Sequence, residues 1–288
     1  MLLTDAEFVR KLDMLSLLAR RMVSGPLKAD RRTRRAGSGS SFADYSEYHS
    51  GDDFSAIDWN IFARLETLVI KLFELEEDAR VYLLLDLSRS MARKLSYARQ
   101  LAAAVGYIAL NRLDYLSVFG MADQLKVLMP PGHGRERIMP FLKLLEQTDC
   151  FGTANDFDAC VKSLLSRCRR PGICLLLSDF FLPGGYERGF DALRWGGHEI
   201  FCLEIIDPAD ERCEWRGDIE LECVESGAAR ALTIGAAEAA AFTVAVRRWR
   251  EQFHRDCKKR GIGWAEAVIT LPFETVIREL LKKRGVAR

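Results

Sequence analysis

The chain is poor in the residues that mark most crosslinked or metal-dependent catalytic classes. Its 288 residues include only eight prolines, eight cysteines and four histidines. The cysteines (Cys150, Cys160, Cys168, Cys174, Cys202, Cys213, Cys223 and Cys257) form no CxxC pair and share no recurring spacing, which excludes a disulfide-knot scaffold. Cys174 and Cys202 sit inside apolar runs, where a reduced cysteine acts as a small hydrophobe. His49, His133, His198 and His254 are scattered, which gives zinc chemistry little support. No charge sign dominates: Lys plus Arg is 42 and Asp plus Glu is 41, so no global pull toward nucleic acid or an anionic membrane is expected. Long apolar runs are missing too. Leu101 to Leu110 is too short to cross a bilayer, and the Ala-rich stretch from Gly227 to Val246 is broken by Arg230 and Glu238. Met1-Leu2-Leu3-Thr4-Asp5 has no basic start, so no secretory signal is expected. These absences together lead to the expectation of a soluble protein with no membrane span, in a reducing cytoplasm.

Standard catalytic signatures are absent as well. There is no GxxxxGK[ST] loop and no GxSxG elbow, and Gly261-Ile262-Gly263-Trp264 does not complete GxGxxG. His198-Glu199 is not followed by the second histidine of HExxH.

What is present is a rhythm. Apolar residues make up 49% of the chain, enough for a real core. Thr4 with Glu7 reads as a capping box opening a helix through Phe8, Leu12, Leu15, Leu18 and Met22, and Gly25-Pro26 stops it. Arg31 to Ser41 is polar and without periodicity. Residues 42 to 77 are mixed, with a turn at Gly51-Asp52-Asp53 and a strand at Leu68 to Phe73. From residue 79 short apolar strands alternate with longer helices. Strands are expected at Val81–Leu85, Gly172–Leu177, Glu199–Ile206 and Ile262–Ala267, with a hairpin from Tyr115–Phe119 to Gln124–Leu128. Helices are expected at Lys94–Arg112, Arg135–Gln147, Asp156–Cys168, Ala236–Lys259 and after Pro272, and a small antiparallel excursion at about 207–235. This pattern predicts a doubly wound, mostly parallel α/β domain over 79–288, preceded by an irregular α+β extension over 1–78.

One segment carries chemistry. Asp86 ends a buried strand in Leu85-Asp86-Leu87-Ser88-Arg89-Ser90-Met91, and from a loop at the strand tip Asp86, Ser88 and Ser90 can face one crevice. Such hard oxygens suit Mg²⁺ or Mn²⁺. If the strand ending at Ser178-Asp179 is a neighbour, Asp179 joins them where the winding reverses. Thr153, between two helices, offers a further hydroxyl. The same residues also read as plain strand-end turns and helix caps.

Asp86-x-Ser88-x-Ser90, Thr153 and Asp179 resemble the metal-ion-dependent adhesion site of von Willebrand factor A domains. The upstream string Tyr48-His49-Ser50-Gly51-Asp52-Asp53, Ile57-Asp58-Trp59, Ala63-Arg64 and Lys71-x-Phe73-Glu74-x-Glu76, with Gly37-x-Gly39, is similar to the bacterial domain-of-unknown-function family fifty-eight, which carries such a domain. The resemblance implies that Ser88, Ser90 and Thr153 hold the metal directly and that Asp86 and Asp179 act directly or through water. It further implies an acidic side chain from a partner protein at the metal, a MoxR-type AAA+ ATPase as partner, and binding rather than catalysis. Ser46 and Ser55 depart from the family, where arginine is common. A metal-dependent hydrolase or phosphoryl-transfer enzyme in the same crevice is the alternative, although the Asp-nucleophile phosphatases need an acid where Ser88 stands. A scaffold with a vestigial site is a third reading.

Three other features have bland readings. Arg20, Arg21, Lys28, Arg31, Arg32, Arg34 and Arg35 form a basic stretch that Glu74, Glu76, Glu77 and Asp78 can neutralise, so nucleic acid is not expected as a partner. Asp52, Asp53 and Asp58 read as structural acids pairing with Arg64 or Lys71 beside a buried Trp59. The stripe Phe242, Val246, Trp249 and Phe253 reads as core packing.

Overall fold

Phe8, Leu12 and Leu15 lie fully buried along one face of the first helix, α1 (Ala6–Val23). Helical spacing puts them on one stripe, and the Phe8 ring sits 5.1 Å from Phe273 near the other end of the chain. The computed structural model describes residues 2–23, 32–36, 41–49, 52–76, 79–152, 155–182, 184–224 and 227–286. The chain forms two units, residues 1–19 with 79–287, and residues 20–78. The first helix through Ala19 therefore groups with the later, larger unit, whereas the sequence reading placed it in the extension. The reason is its apolar face, which finds the core of that unit. Thr4 also departs from its expected pairing with Glu7: its N–H and hydroxyl both bond Glu146 Oε1, at 2.8 and 3.0 Å. The expected helix stop at Gly25-Pro26 and the Gly37-x-Gly39 and Ser50-Gly51 motif residues lie outside the described residues, as do Lys28, Arg31, Glu77 and Asp78.

The smaller unit is a three-stranded antiparallel sheet of β1 (Arg32–Ala36), β2 (Ser41–Glu47) and β3 (Val69–Glu76), with β3 central, plus the short helix α2 (Trp59–Leu65). The aperiodic basic stretch thus contains a strand. Its register sets Arg32 opposite Glu76 and Arg34 opposite Glu74. Asp58 caps α2 through the N–H groups of Asn60 and Ile61 and holds Lys71 Nζ at 3.0 Å. The lysine bond is the main cause holding the Asp58 carboxyl below its ordinary range. Trp59 is 60% exposed, contrary to expectation, because it stands at the first turn of a two-turn helix with no described element over it. The Ser46 hydroxyl donates to the Glu47 carbonyl and the Ser55 N–H donates to Asp53 Oδ1.

The larger unit is built on six strands, β4 (Arg80–Asp86), β5 (Tyr115–Met121), β6 (Leu125–Gly132), β7 (Ile173–Ser178), β8 (Glu199–Ile206) and β11 (Gly263–Val268), in the order β11-β8-β7-β4-β5-β6. All pairs are parallel except β5 with β6. That exception follows from the three-residue connection at 122–124, which is too short for a parallel crossover. The central strands are buried along nearly their whole length, with apolar runs at Val81–Leu85 and Ile173–Leu177, because both faces are covered. On one face Leu83, Leu85, Leu175, Leu177 and Leu203 pack with α1, α3 (Leu95–Asn111), α4 (Ile138–Glu146) and α8 (Phe273–Val286). On the other, Leu84, Leu176 and Cys202 pack with α5 (Phe157–Arg167), α6 (Glu187–Trp195) and α7 (Ala236–Lys259). The second face is aromatic: Phe253 stacks on Phe180 at 4.7 Å and lies near Trp249, Tyr186 and Phe190. Of the α7 stripe, Val246 and Phe253 are buried while Phe242 is exposed. The excursion before α7 is a two-stranded ribbon, β9 (Gly217–Glu222) with β10 (Ala229–Ile234).

Candidate metal centre

β4 and β7 are parallel neighbours at the middle of the sheet. From β4 the chain moves to β5 on one side and returns to β7 on the other. The winding reverses between them, so the turns after Asp86 and Ser178 flank the place where α/β sheets take ligands. Alternation along each strand puts Asp86 and Ser178 on the aromatic face, and the two meet: Ser178 Oγ donates to Asp86 Oδ2 at 2.6 Å.

The other Asp86 oxygen is held by its own turn. Oδ1 accepts from the Ser88 N–H at 3.0 Å and from Ser88 Oγ at 2.7 Å. Ser88 Oγ in turn lies 3.1 Å from Ser90 Oγ. Asp86 is fully buried, and burial is the main cause pushing its carboxyl up from the ordinary value. The hydrogen bonds from Ser178 and Ser88 pull it down, and the charge of nearby Asp179 pushes it up again. Asp86 is thus an acceptor that orients two hydroxyls, and the Ser88 oxygen keeps lone pairs for another partner.

Asp179 is positioned by a tight turn. Its Oδ1 accepts from the Phe181 N–H at 3.1 Å, and Ser178 Oγ accepts from the Phe180 N–H at 2.9 Å. Phe180 takes a left-handed conformation, φ 58°, which costs an L-residue roughly 1–2 kcal/mol. Its buried ring, stacked on Phe253, offsets that cost. Asp179 Oδ2 accepts from Lys94 Nζ at 2.5 Å.

Lys94 was not legible as a site residue, nor were Ser178, Asp207 and Asp210. Lys94 precedes the first residue of α3, and its Nζ also donates to Asp210 Oδ2 at 2.8 Å. Arg93 holds Asp207 at 2.6 Å and Asp210 at 2.8 Å. One signal was available: consecutive cations at a helix start oppose the helix dipole and need specific anionic partners. Burial is the largest influence on Lys94 and disfavours its charge, but Asp179 and Asp210 together outweigh it and raise its pKa. The crevice network sets the acids Asp86, Asp179, Asp207 and Asp210 against the cations Arg93 and Lys94, so two negative charges are left over.

Thr153 lies outside the described residues. The loop before it is tied to the site, since the Phe151 N–H donates to the Leu87 carbonyl at 2.8 Å. Just beyond it Asn155 is buried, and its side-chain amide has no hydrogen-bond partner among the described residues.

The residues present fit a hard divalent cation. Octahedral coordination at magnesium's bond lengths sets adjacent oxygens roughly 3.0 Å apart, and the Ser88 and Ser90 hydroxyls are 3.1 Å apart. Carboxyl groups outnumber cations in this network, which suits a cation. Lys94 occupies one Asp179 oxygen, so Asp179 has only its remaining oxygen to offer.

A family described as "Protein of unknown function DUF58" matches residues 44–252. An uncharacterized protein of Mycobacterium tuberculosis is 26% identical over 241 residues, covering 80% of this chain and 75% of that one. Among solved structures, the conserved hypothetical protein BatB from Bacteroides thetaiotaomicron overlaps 73% of this chain and 100% of its own, at 12% identity and TM-score 0.46. A structure titled as an aerotolerance-related membrane protein from Bacteroides fragilis overlaps to the same extent, at 12% identity and TM-score 0.46. The fold is read from the strand order of the chain itself.

The expectation of a cytoplasmic protein is corrected here. A structural neighbour is named as a membrane protein, while no helix among the described residues is long and apolar enough to cross a membrane. The inference from cysteines fails for a physical reason. Cys160, Cys168, Cys174, Cys202 and Cys257 are buried core fillers, and a packed thiol reports its packing, not the redox state outside.

Proposed function

The chain belongs to the DUF58 family, and on that premise we propose that it is a divalent-cation-dependent protein-binding module rather than an enzyme. Ser88 and Ser90 hold Mg²⁺ or Mn²⁺ with Thr153, while Asp86 orients the hydroxyls and Asp179 contributes through water. The ion supplies a Lewis-acidic position open to a carboxylate. A partner protein fills that position with an acidic side chain, and a MoxR-type AAA+ ATPase is the partner with which the module assembles or remodels other complexes. The observation carrying this reading is the Ser178–Asp86–Ser88–Ser90 chain of hydrogen bonds at the reversal of the sheet. It presents two hydroxyl oxygens at coordination spacing.

Isothermal titration of Mg²⁺ and Mn²⁺ into wild type, Ser88→Ala and Asp86→Ala tests the metal. Saturable binding by wild type and its loss in both variants is expected; identical heats in all three proteins remove the claim. Affinity capture of a MoxR-type ATPase with and without EDTA tests the partner, and capture that EDTA leaves unchanged removes the cation-dependent contact.

A further inference from the structure

A second polar cluster lies on the aromatic face, two strands from Asp86. Glu204 of β8 stands directly opposite Glu266 of β11 and, on its other side, opposite Ser178 of β7. Directly opposed residues of parallel strands leave the same face, so Glu266, Glu204 and Ser178 form one cross-strand row that leads to Asp86. Two carboxylates side by side repel, and Glu204 is 1% exposed. Such a pair persists only with positive charge nearby.

The neighbours supply part of it. Arg250 of α7 donates through Nε to Glu204 Oε1 at 2.8 Å and through another nitrogen to Glu211. One turn later on α7, His254 directs Nε2 to Glu204 Oε2 at 2.7 Å, with Glu266 Oε1 at 3.8 Å. The imidazole is fixed from the other side by Trp264, whose ring stacks on it at 5.3 Å and 24°. With a neutral imidazole, the acids Glu204, Glu211 and Glu266 face one guanidinium, which again leaves two negative charges.

We propose that Glu204, His254 and Glu266 form a second cation site, separate from the Asp86 crevice, for a first-row divalent ion of the zinc type. One imidazole nitrogen and two carboxylate oxygens lie within 4.8 Å of one another. Zinc bonds of about 2.0–2.2 Å set tetrahedral ligands roughly 3.3–3.6 Å apart. The 2.7 Å contact must therefore open, and the 3.8 Å contact close slightly. The partly exposed His254 and the exposed Glu266 can make these adjustments by side-chain rotation. An imidazole in the set favours zinc over magnesium. Three protein ligands leave the fourth position for water or an incoming group. Zinc had little support from residue spacing because these ligands come from β8, α7 and β11 and form no spaced motif.

The test is Zn²⁺ uptake by the full chain, measured by competition with a chromophoric chelator, with X-ray absorption at the zinc edge. Wild type, His254→Gln, Glu266→Gln and the crevice variant Asp86→Ala are compared. Wild type and Asp86→Ala are expected to keep a zinc ion with imidazole nitrogen in its shell. His254→Gln and Glu266→Gln should each weaken that ion about 100-fold or more, above the usual effect of an outer-shell change. Glu266 is exposed, so its variant keeps the test valid if His254→Gln disturbs folding. Zinc binding unaffected by either substitution, bound zinc without nitrogen, or no binding by wild type overturns the site. Loss in Asp86→Ala alone also overturns it, by assigning the ion to the crevice.

Discussion

Asp210 and Glu211 are consecutive residues of the 3₁₀ turn Pro208–Glu211, yet they bind cations of two different clusters. Asp210 takes Lys94 and Arg93 beside Asp179, and Glu211 takes Arg250 beside Glu204. One turn at the end of β8 therefore joins the electrostatics of the crevice to those of the second cluster.

Lys94 is the buried cation of the crevice, with a side chain only 4% exposed. Lys94→Met removes one partner of a buried pair and leaves Asp179 uncompensated, a change that typically costs about 3–5 kcal/mol. Urea unfolding should show that loss. Mg²⁺ should restore more stability to Lys94→Met than it adds to wild type, because binding to the folded state alone stabilises it. Equal gains in both proteins would contradict a cation bound next to Asp179.

Ser178 and Ser90 are both serines of the crevice but should behave differently. Ser178→Ala leaves a buried Asp86 oxygen without its donor, at a cost of about 1–3 kcal/mol. Ser90 is exposed, and its hydroxyl pairs with Ser88 Oγ at 3.1 Å, so Ser90→Ala should change metal-free stability by less than about 0.5 kcal/mol. Its effect should instead appear as weakened Mg²⁺ binding. Denaturant midpoints with and without Mg²⁺ separate the two.

His198 is buried with its edge to the Tyr82 ring at 5.3 Å. Burial lowers its pKa, and a bond to the Gly172 backbone offsets only part of that shift. The folded state holds it neutral, so the unfolded chain binds the extra proton as pH falls below about 6.5. The contribution of His198 is complete above that pH and is lost on acidification toward the lowered folded value. The slope is at most about 1.4 kcal/mol per pH unit for one proton. Replacing His198 by Phe should flatten the stability curve as pH falls below about 6.5; an unchanged slope would contradict the lowered value.

Gly106 sits in the middle of α3, where alanine would ordinarily gain about 1 kcal/mol. A Cβ there would lie 2.3 Å from Phe141 Cζ, and Phe141 is fully buried. Overpacking of this kind costs about 1–3 kcal/mol, so the clash wins and Gly106→Ala should be destabilised. Pairing it with Phe141→Leu should recover much of the loss.

Much of the fold was legible because its signals are local. Bare apolar runs such as Val81–Leu85 need covering on both faces, and the short spacing around Gly120 permits a hairpin, which forms with Gly120 inside β5. The crevice was partly legible for the same reason, since Asp86, Ser88 and Ser90 belong to one turn. Lys94, Ser178, Asp207 and Asp210 were not, because each is an ordinary polar residue until packing brings it to a partner.

The sequence alone determined the alternation of strands and helices, the burial of the central strands, and the Asp86 turn, because periodicity and strand-end chemistry act within a few residues. Tertiary structure decided that α1 joins the larger unit, that Trp59 is exposed, and that Glu204 stands between Ser178 and Glu266. Strand order and register settle those, and they depend on which surfaces bury one another across the chain.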